Sequence, residues 1–317
     1  MQIRTYQHGD EGHQAATYNE AARDLPNFKP ATIHEISRRT NASDFDPTMR
    51  FYATTGTDVV GYCLFNPNGR VSYPWCRKGY EELQPALFQK VIDAMQERGL
   101  KKAFAAYRKD WPSVGEFFER NGFVLAREMV NFVQDLVEMP TVPHNPSTTA
   151  TDLKRSDVPT IFHFCPEALR VDSPEGLEKH LFHNPYFGPE SFFVLRRKTD
   201  SEAVGVGVVI TELTFADPMV VDPLMPCFRL GAFGTETMQT KRLKGLFSFL
   251  AAPDNKFPIF ALDALGQATL RIEALQDITS LAAQVPSNVE HLLQFYEGYF
   301  TRQGSFPVYE RNLGRSN

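Results

Sequence analysis

Two stretches of this chain open on the same plan, and that repetition limits the available folds more than any other feature of the sequence. IRTYQHGDEGHQAATYNEAA, from Ile3, and ATDLKRSDVPTIFHFCPEAL, from Ala150, each read as a short strand, an acidic turn and a helix. Asp10 and Asp157 stand where helix N-caps would be. A hairpin follows in both halves: RFYATTGTDVVGYCLFN from Arg50, and FFVLRRKTDSEAVGVGVVI from Phe192, two β-rich runs around a polar turn.

The first half continues with a strand, RVSYPWC, and then LQPALFQKVIDAMQERGL. Its Leu83, Leu87, Val91, Ile92 and Met95 fall at helical spacing, with a stop at Gly99. The strand AFAAY, the helix SVGEFFERNGF and the strand EMVNFVQDL complete it. The second half predicts the same sequence of elements. FRLGAFGTE is a strand, KGLFSFLA starts a helix, and ATLRIEAL with ITSLAAQV supplies strand material. NVEHLLQFYEGYF is a helix and PVYERNL a closing strand. The order β-α-α-β-β-β-α-β-α-β, found twice, implies an α/β protein with two mixed sheets covered by helices. Between the halves, EMPTVPHNPSTT carries three prolines among small polar residues and reads as a linker. The expected domains are residues 1–140 and 149–317.

Size agrees with that division, since 317 residues exceed one ordinary domain of ~150. With 42% apolar residues the chain can bury a sizeable core. A net charge of −5 argues against a broad nucleic-acid surface, so any anion site has to be local. Four cysteines without a CxxC pair suggest free thiols in a reducing compartment. The N-terminus lacks the apolar core of a signal peptide, and no stretch approaches the ~20 apolar residues of a spanning helix. The expectation is a cytoplasmic protein with neither nucleic acid nor membrane as partner.

The stretch KRLKGLFSFL, from Lys241, concentrates three cations in four positions, then a glycine and an apolar run. A basic loop feeding a helix at a glycine suits an anion, because unpaired N–H groups and the helix dipole point at it. A solvated turn ahead of a core helix is the plainer reading of the same residues. His180 and His183, spaced i, i+3, have no carboxylate or cysteine at ligand spacing, so no metal is expected. The G-x-G of AVGVGVV lies within a strand pattern and is not a dinucleotide fingerprint.

RLGAFGTETMQTKRLKGLFSFL resembles the acetyl-CoA motif of the GNAT superfamily of N-acetyltransferases. There, a strand precedes Arg/Gln-x-x-Gly-x-Gly/Ala and a helix whose start cradles the CoA pyrophosphate. Arg242, Leu243, Lys244 and Gly245 match Arg-x-x-Gly; Leu246 follows, and Phe247 takes the place of the usual Gly or Ala. VPSNVEHLLQFYEGYF resembles a later segment of the family. Asn288 matches its asparagine, Phe295 stands at the tyrosine position with Tyr296 beside it, and Tyr299 precedes Phe300. The first half bears the likeness more weakly, with Pro74, Arg77 and an early Gly79, Phe118 at the tyrosine position, and Trp111 at the asparagine position.

The resemblance covers nearly the whole chain and implies two tandem GNAT folds, the first divergent. It implies acetyl-CoA as co-substrate, held in the second unit by Thr235, Thr237, Arg242, Leu243, Lys244, Gly245, Leu246, Phe247 and Asn288. It further implies direct acetyl transfer to an amine, with Glu236 as base and Tyr296 or Tyr299 as acid for the thiolate. Glu236 could equally be an exposed strand-end carboxylate, and either tyrosine a core aromatic. The acceptor is left open between a small-molecule and a peptide amine. The alternative is a CoA- or acyl-CoA-binding sensor or scaffold without turnover.

Overall fold

The computed structural model describes residues 1–41, 45–138, 146–164, 171, 173–183, 188–210, 245–254, 256–273, 275 and 280–314. In chain order the first half gives β1 (Gln2–Thr5), α1 (Asp10–Ala21), α2 (Ile33–Thr40), β2 (Arg50–Thr55) and β3 (Asp58–Leu64). It continues with β4 (Trp75–Cys76), α3 (Gln84–Glu97), β5 (Lys102–Ala106), α4 (Pro112–Arg120) and β6 (Val124–Asp135). The second half gives β7 (Thr148–Thr151), α5 (Val158–Phe162), α6 (Pro174–Phe182), β8 (Phe192–Arg197) and β9 (Ala203–Ile210). It ends with β10 (Gly245–Ala251), α7 (Phe257–Glu273), β11 (Ser280–Pro286), α8 (Glu290–Tyr299) and β12 (Thr301–Asn312). The order read from the sequence is present in both halves.

The compact units do not follow the linear halves. One comprises Met1–Arg127 with Phe306–Asn317, the other Glu128–Ser305. In the first unit β1 to β4 form a sheet in sequence order, and β12 pairs antiparallel with β5, Tyr309 opposite Ala105. In the second, the strand order is β6-β11-β10-β9-β8-β7, with Phe132 of β6 opposite Ala283 of β11. Each unit thus takes its last strand from the other half of the sequence.

Local chemistry explains most elements. Helix α3 has Pro85 in its first turn, where a missing N–H costs nothing, and buries Leu87, Phe88, Val91, Ile92 and Met95. Helix α2 starts at a capping box, the Thr32 hydroxyl accepting from Glu35 N–H and the Glu35 carboxylate from Thr32 N–H. Strand β9, AVGVGVVI, is buried at every position because neighbours and helices cover both faces. Its Gly207 is required by packing: a Cβ there would meet the Phe193 ring at 2.1 Å.

Three sequence expectations change. KGLFSFLA does not start a helix; residues from Gly245 to Ala251 are strand β10, paired antiparallel with β9. ATLRIEAL is not strand but the end of α7. Asp10 and Asp157 do not cap through their side chains; each instead accepts the backbone N–H three residues earlier and pairs with an arginine, Arg4 and Arg196 respectively. The strand expected over FRLGAFGTE lies outside the described residues, as do Cys165 and Cys227, whereas Cys63 and Cys76 are buried free thiols. No helix among the described residues is long and apolar enough to cross a membrane.

Candidate active site

In the second unit β10 and β11 run parallel and then part. They pair only at Gly245–Leu281 and Leu246–Ala282, whereas β10 stays paired with β9 to Ala251 and β11 with β6 to Pro286. An opening therefore lies at the C-terminal ends of two parallel strands, each followed by a helix, where open α/β sheets bind ligands. Among the described residues, the edge of β10 from Phe247 onward has no ladder partner on the β11 side. Backbone N–H groups at such an edge need a partner or a ligand.

Helix α8 packs beneath this opening through Phe295 and Tyr296. The Tyr296 ring stacks on Phe132 at 5.6 Å and lies 5.8 Å from Phe249 and 6.3 Å from Phe247. Phe247 and Phe249 point to the α8 face of β10, so Ser248 points to the other. The Tyr296 hydroxyl is beside both the Ser248 side chain and the Phe249 N–H, which places it at the strand edge. It makes no hydrogen bond of ordinary geometry with either, and is sealed from solvent. Burial drives this phenol far above the ordinary tyrosine range, so it holds its proton at neutral pH. A buried donor without a partner costs about 1–3 kcal/mol, which a native site tolerates where a ligand supplies the acceptor.

The other expected residues fall as follows. Tyr299 is half-buried, its ring against Phe295 at 5.0 Å, with no ring contact to β10. Asn288 is exposed in the turn between β11 and α8, at the same end of the sheet as the opening. Gly245, Leu246 and Phe247 are strand residues, and Phe247 is fully buried, so no glycine-led helix start exists there. Thr235, Glu236, Thr237, Arg242, Leu243 and Lys244 lie outside the described residues.

The helix start that follows β10 is that of α7, reached through Ala252-Pro253-Asp254-Asn255-Lys256. Here the Asp254 carboxylate accepts the Lys256 N–H at 2.7 Å, while Lys256 is exposed. Sequence reasoning missed this loop and Ser248. Two signals mark it: a Pro-Asp turn after a seven-residue apolar run, and the i, i+3, i+4 pattern of Phe257, Phe260, Ala261, Ala264, Leu265 and Ala268. Asp263 of this helix accepts from the Thr148 N–H, the Thr148 hydroxyl and the Ser147 hydroxyl, which pins β7 to α7.

The corresponding place in the first unit is already satisfied. Between β4 and α3, Gly79 N–H donates to Glu81 at 2.9 Å and Lys78 N–H to Glu20 at 3.1 Å. The hydroxyl of Tyr107, just after β5, accepts the N–H of Tyr73, just ahead of β4. Phe118 occupies the α4 position that Tyr296 holds in α8.

No protein-family pattern matches the sequence, and no curated protein is similar to it in sequence. Solved structures are similar. A GCN5-related N-acetyltransferase from Sphaerobacter thermophilus aligns over 98% of this chain and 95% of its own, with 12% identity and a TM-score of 0.61. A tandem GNAT protein from the clavulanic acid biosynthesis pathway aligns over 100% of this chain and 99% of its own, with 12% identity and a TM-score of 0.53. A glucosamine N-acetyltransferase region in a fungal multi-domain GH3 β-N-acetylglucosaminidase aligns over 98% of this chain and 38% of its own, with 13% identity and a TM-score of 0.64. At these identities the likeness concerns the fold: this chain has the GNAT fold in tandem.

Proposed function

We propose that the second unit is an acyl-CoA-dependent N-acyltransferase, with acetyl-CoA as donor and a small-molecule or peptide amine as acceptor. The observation that carries this reading is the Tyr296 hydroxyl, buried and unpartnered at the edge where β10 leaves β11. The donor supplies an acyl group activated as a thioester. The Phe249 N–H, on the unpaired edge, polarises the acyl carbonyl as an oxyanion donor does. As the amine nitrogen bonds to the acyl carbon and the carbon–sulfur bond breaks, Tyr296 gives its proton to the departing sulfur. The proton lost by the amine goes to water or to Glu236. Asn288 and Lys256 border the path at the C-terminal ends of β10 and β11 and are the candidates for holding the donor's pantetheine and phosphates, with Arg242 and Lys244 from the basic stretch.

A second reading is binding of CoA or acyl-CoA without turnover, favoured by Phe247, which stands fully buried in β10 where the resembled motif has Gly or Ala. In either reading the Asp254 carboxylate, accepting the Lys256 N–H at the start of α7, opposes a phosphate there. Incubating the purified chain with acetyl-CoA and a panel of amines, and reading free thiol, separates the two. Thiol release that depends on an amine supports transfer. Binding by calorimetry without release supports the second reading, and no binding of acetyl-CoA overturns both.

A further inference from the structure

We propose that the first unit contains a separate binding site for an oxyanion, a carboxylate or phosphate on a small molecule, formed by Arg50, Arg70 and Tyr62 with Arg39 at its rim. The strand register puts Arg50, Arg70 and Tyr62 on one face, and the Arg39 charge acts on both arginines. Arg50 pairs with Leu64, and Tyr52 with Tyr62, across β2 and β3. On the other side of β3, Ser72 N–H donates to the Leu64 carbonyl, and Phe65 bridges Val71. Directly opposed residues share a face, and steps of two preserve it. Arg50, Tyr52, Tyr62 and Arg70 therefore lie on one face of this sheet. It is the α1 face, since the Tyr52 hydroxyl donates to Gln14 of α1 at 2.6 Å. The intervening residue Phe65 faces the other way, beneath the Arg98 guanidinium at the end of α3.

Arg50 and Arg70 are both half-buried, and among the described residues neither side chain makes an ion pair or hydrogen bond. The Arg50 guanidinium lies over the Phe45 ring at 5.0 Å. The Tyr62 side chain is buried on this face, and its hydroxyl makes no hydrogen bond to another described residue. Among the described residues, the α1 carboxylates Asp10 and Glu11 are already engaged. Asp10 takes both Arg4 nitrogens and the Gln7 N–H, and Glu11 takes Tyr6, Thr40 and the Gly9 N–H. Burial pushes the Arg50 and Arg70 guanidinium groups down, and the Arg39 charge pushes each in the same direction. Burial holds the Tyr62 phenol well above its ordinary range, so it is a donor.

Like charges half-removed from water without a counter-ion destabilise a fold, and positions that keep them are commonly ligand sites. Two guanidinium forks and a phenol present only donors, a set that matches the planar oxygens of a carboxylate or the face of a phosphate. This site stands apart from the reading of the second unit. The test uses the full chain, with inorganic phosphate in one series and succinate in another, each against sodium chloride at equal ionic strength. A saturable rise in unfolding temperature is expected from at least one of the two anions, and which one identifies the ligand chemistry. Arg50→Gln and Arg70→Gln should each weaken the apparent affinity about tenfold or more, the worth of one charge-assisted hydrogen bond. Neither should change acetyl-CoA binding. Should one variant fail to fold, Tyr62→Phe and the other arginine variant carry the same comparison. The proposal is overturned if neither anion stabilises the wild type beyond chloride. It is equally overturned if the variants respond as the wild type does, or if the response is lost in Lys256→Gln instead.

Discussion

Helix α4 in the first unit carries Phe117-Phe118, and helix α8 in the second carries Phe295-Tyr296, at the same place in the repeated element order. Both second members are buried and both are stacked on an aromatic ring: Phe118 on Tyr107 at 5.7 Å and 23°, Tyr296 on Phe132 at 5.6 Å and 21°. The stacks match, but the phenol belongs to a different element in each. In the first unit it is Tyr107, just after β5, and its oxygen accepts the Tyr73 N–H. In the second it is Tyr296 on the helix, and its hydroxyl completes no bond. Packing energy is nearly indifferent to this exchange, because ring area and geometry are conserved. What changes is whether a polar atom in the opening is satisfied by the protein or left for a ligand. In the first unit the protein's own hydrogen bonds satisfy these groups, whereas in the second one donor is unmatched.

The largest test of that comparison is Tyr296→Phe, which gives the second unit the helix residue of the first. Under the proposed function, the rate of amine-dependent thiol release should fall about 10²–10⁴-fold, the range for a lost general acid, with little change in KM. The unfolding midpoint should hold or rise, because an unsatisfied hydroxyl leaves the core. A falling midpoint with unchanged turnover would break the comparison.

A smaller effect is expected at Asp10→Asn. Burial pushes the Asp10 carboxyl up, but the Arg4 guanidinium and the Gln7 N–H outweigh it and hold the group below the usual carboxylate range. A lowered folded value stabilises above the unfolded pKa of ~3.9 and is lost as pH falls through the folded value. The variant should therefore be less stable by about 2 kcal/mol at neutral pH. The deficit should shrink below about pH 4 as the wild-type carboxylate protonates. Denaturant melts at several pH values will show whether the gap closes in that window.

Phe118→Tyr, the reverse exchange, inserts a hydroxyl into the satisfied stack of the first unit. It should cost about 1–2 kcal/mol of stability and create no acetyl-CoA site. Calorimetric stoichiometry should remain one per chain. Two sites would show that the phenol alone, rather than the open strand edge, selects the ligand. The smallest effect is expected at Asp254→Asn, which removes the carboxylate at the α7 start. Acetyl-CoA binding should tighten by roughly twofold to fivefold, in line with the 0.3–1 kcal/mol typical of a charge at a helix terminus. Weaker binding would place the phosphates elsewhere.

Much of this architecture was legible in the residues themselves. Hydrophobic periodicity and turn chemistry are local properties, so the element order, the helix over NVEHLLQFYEGYF and the strand ahead of it follow from short windows. Tyr296 comes instead from the likeness of VPSNVEHLLQFYEGYF to a family segment, which leaves it open against Tyr299. The strand GLFSFLA was not legible. Its Phe249 and Leu250 suit a helical stripe, while Phe247 and Phe249 suit a strand face. Phe247, Phe249, Leu250 and Ala251 are all buried, because a strand inside a covered sheet buries both faces and loses its alternation. Only its neighbours β9 and β11 decide that it is extended, and with it moves the helix start that any phosphate would meet. The same holds for the closing strands. Nothing in TRQGSFPVYERN shows that it pairs with KAFAA, more than two hundred residues earlier, because strand pairing joins backbone groups whose sequence separation leaves no local trace. The sequence determined which elements form and in what order. The tertiary structure decided which edges are satisfied, and a ligand binds where they are not.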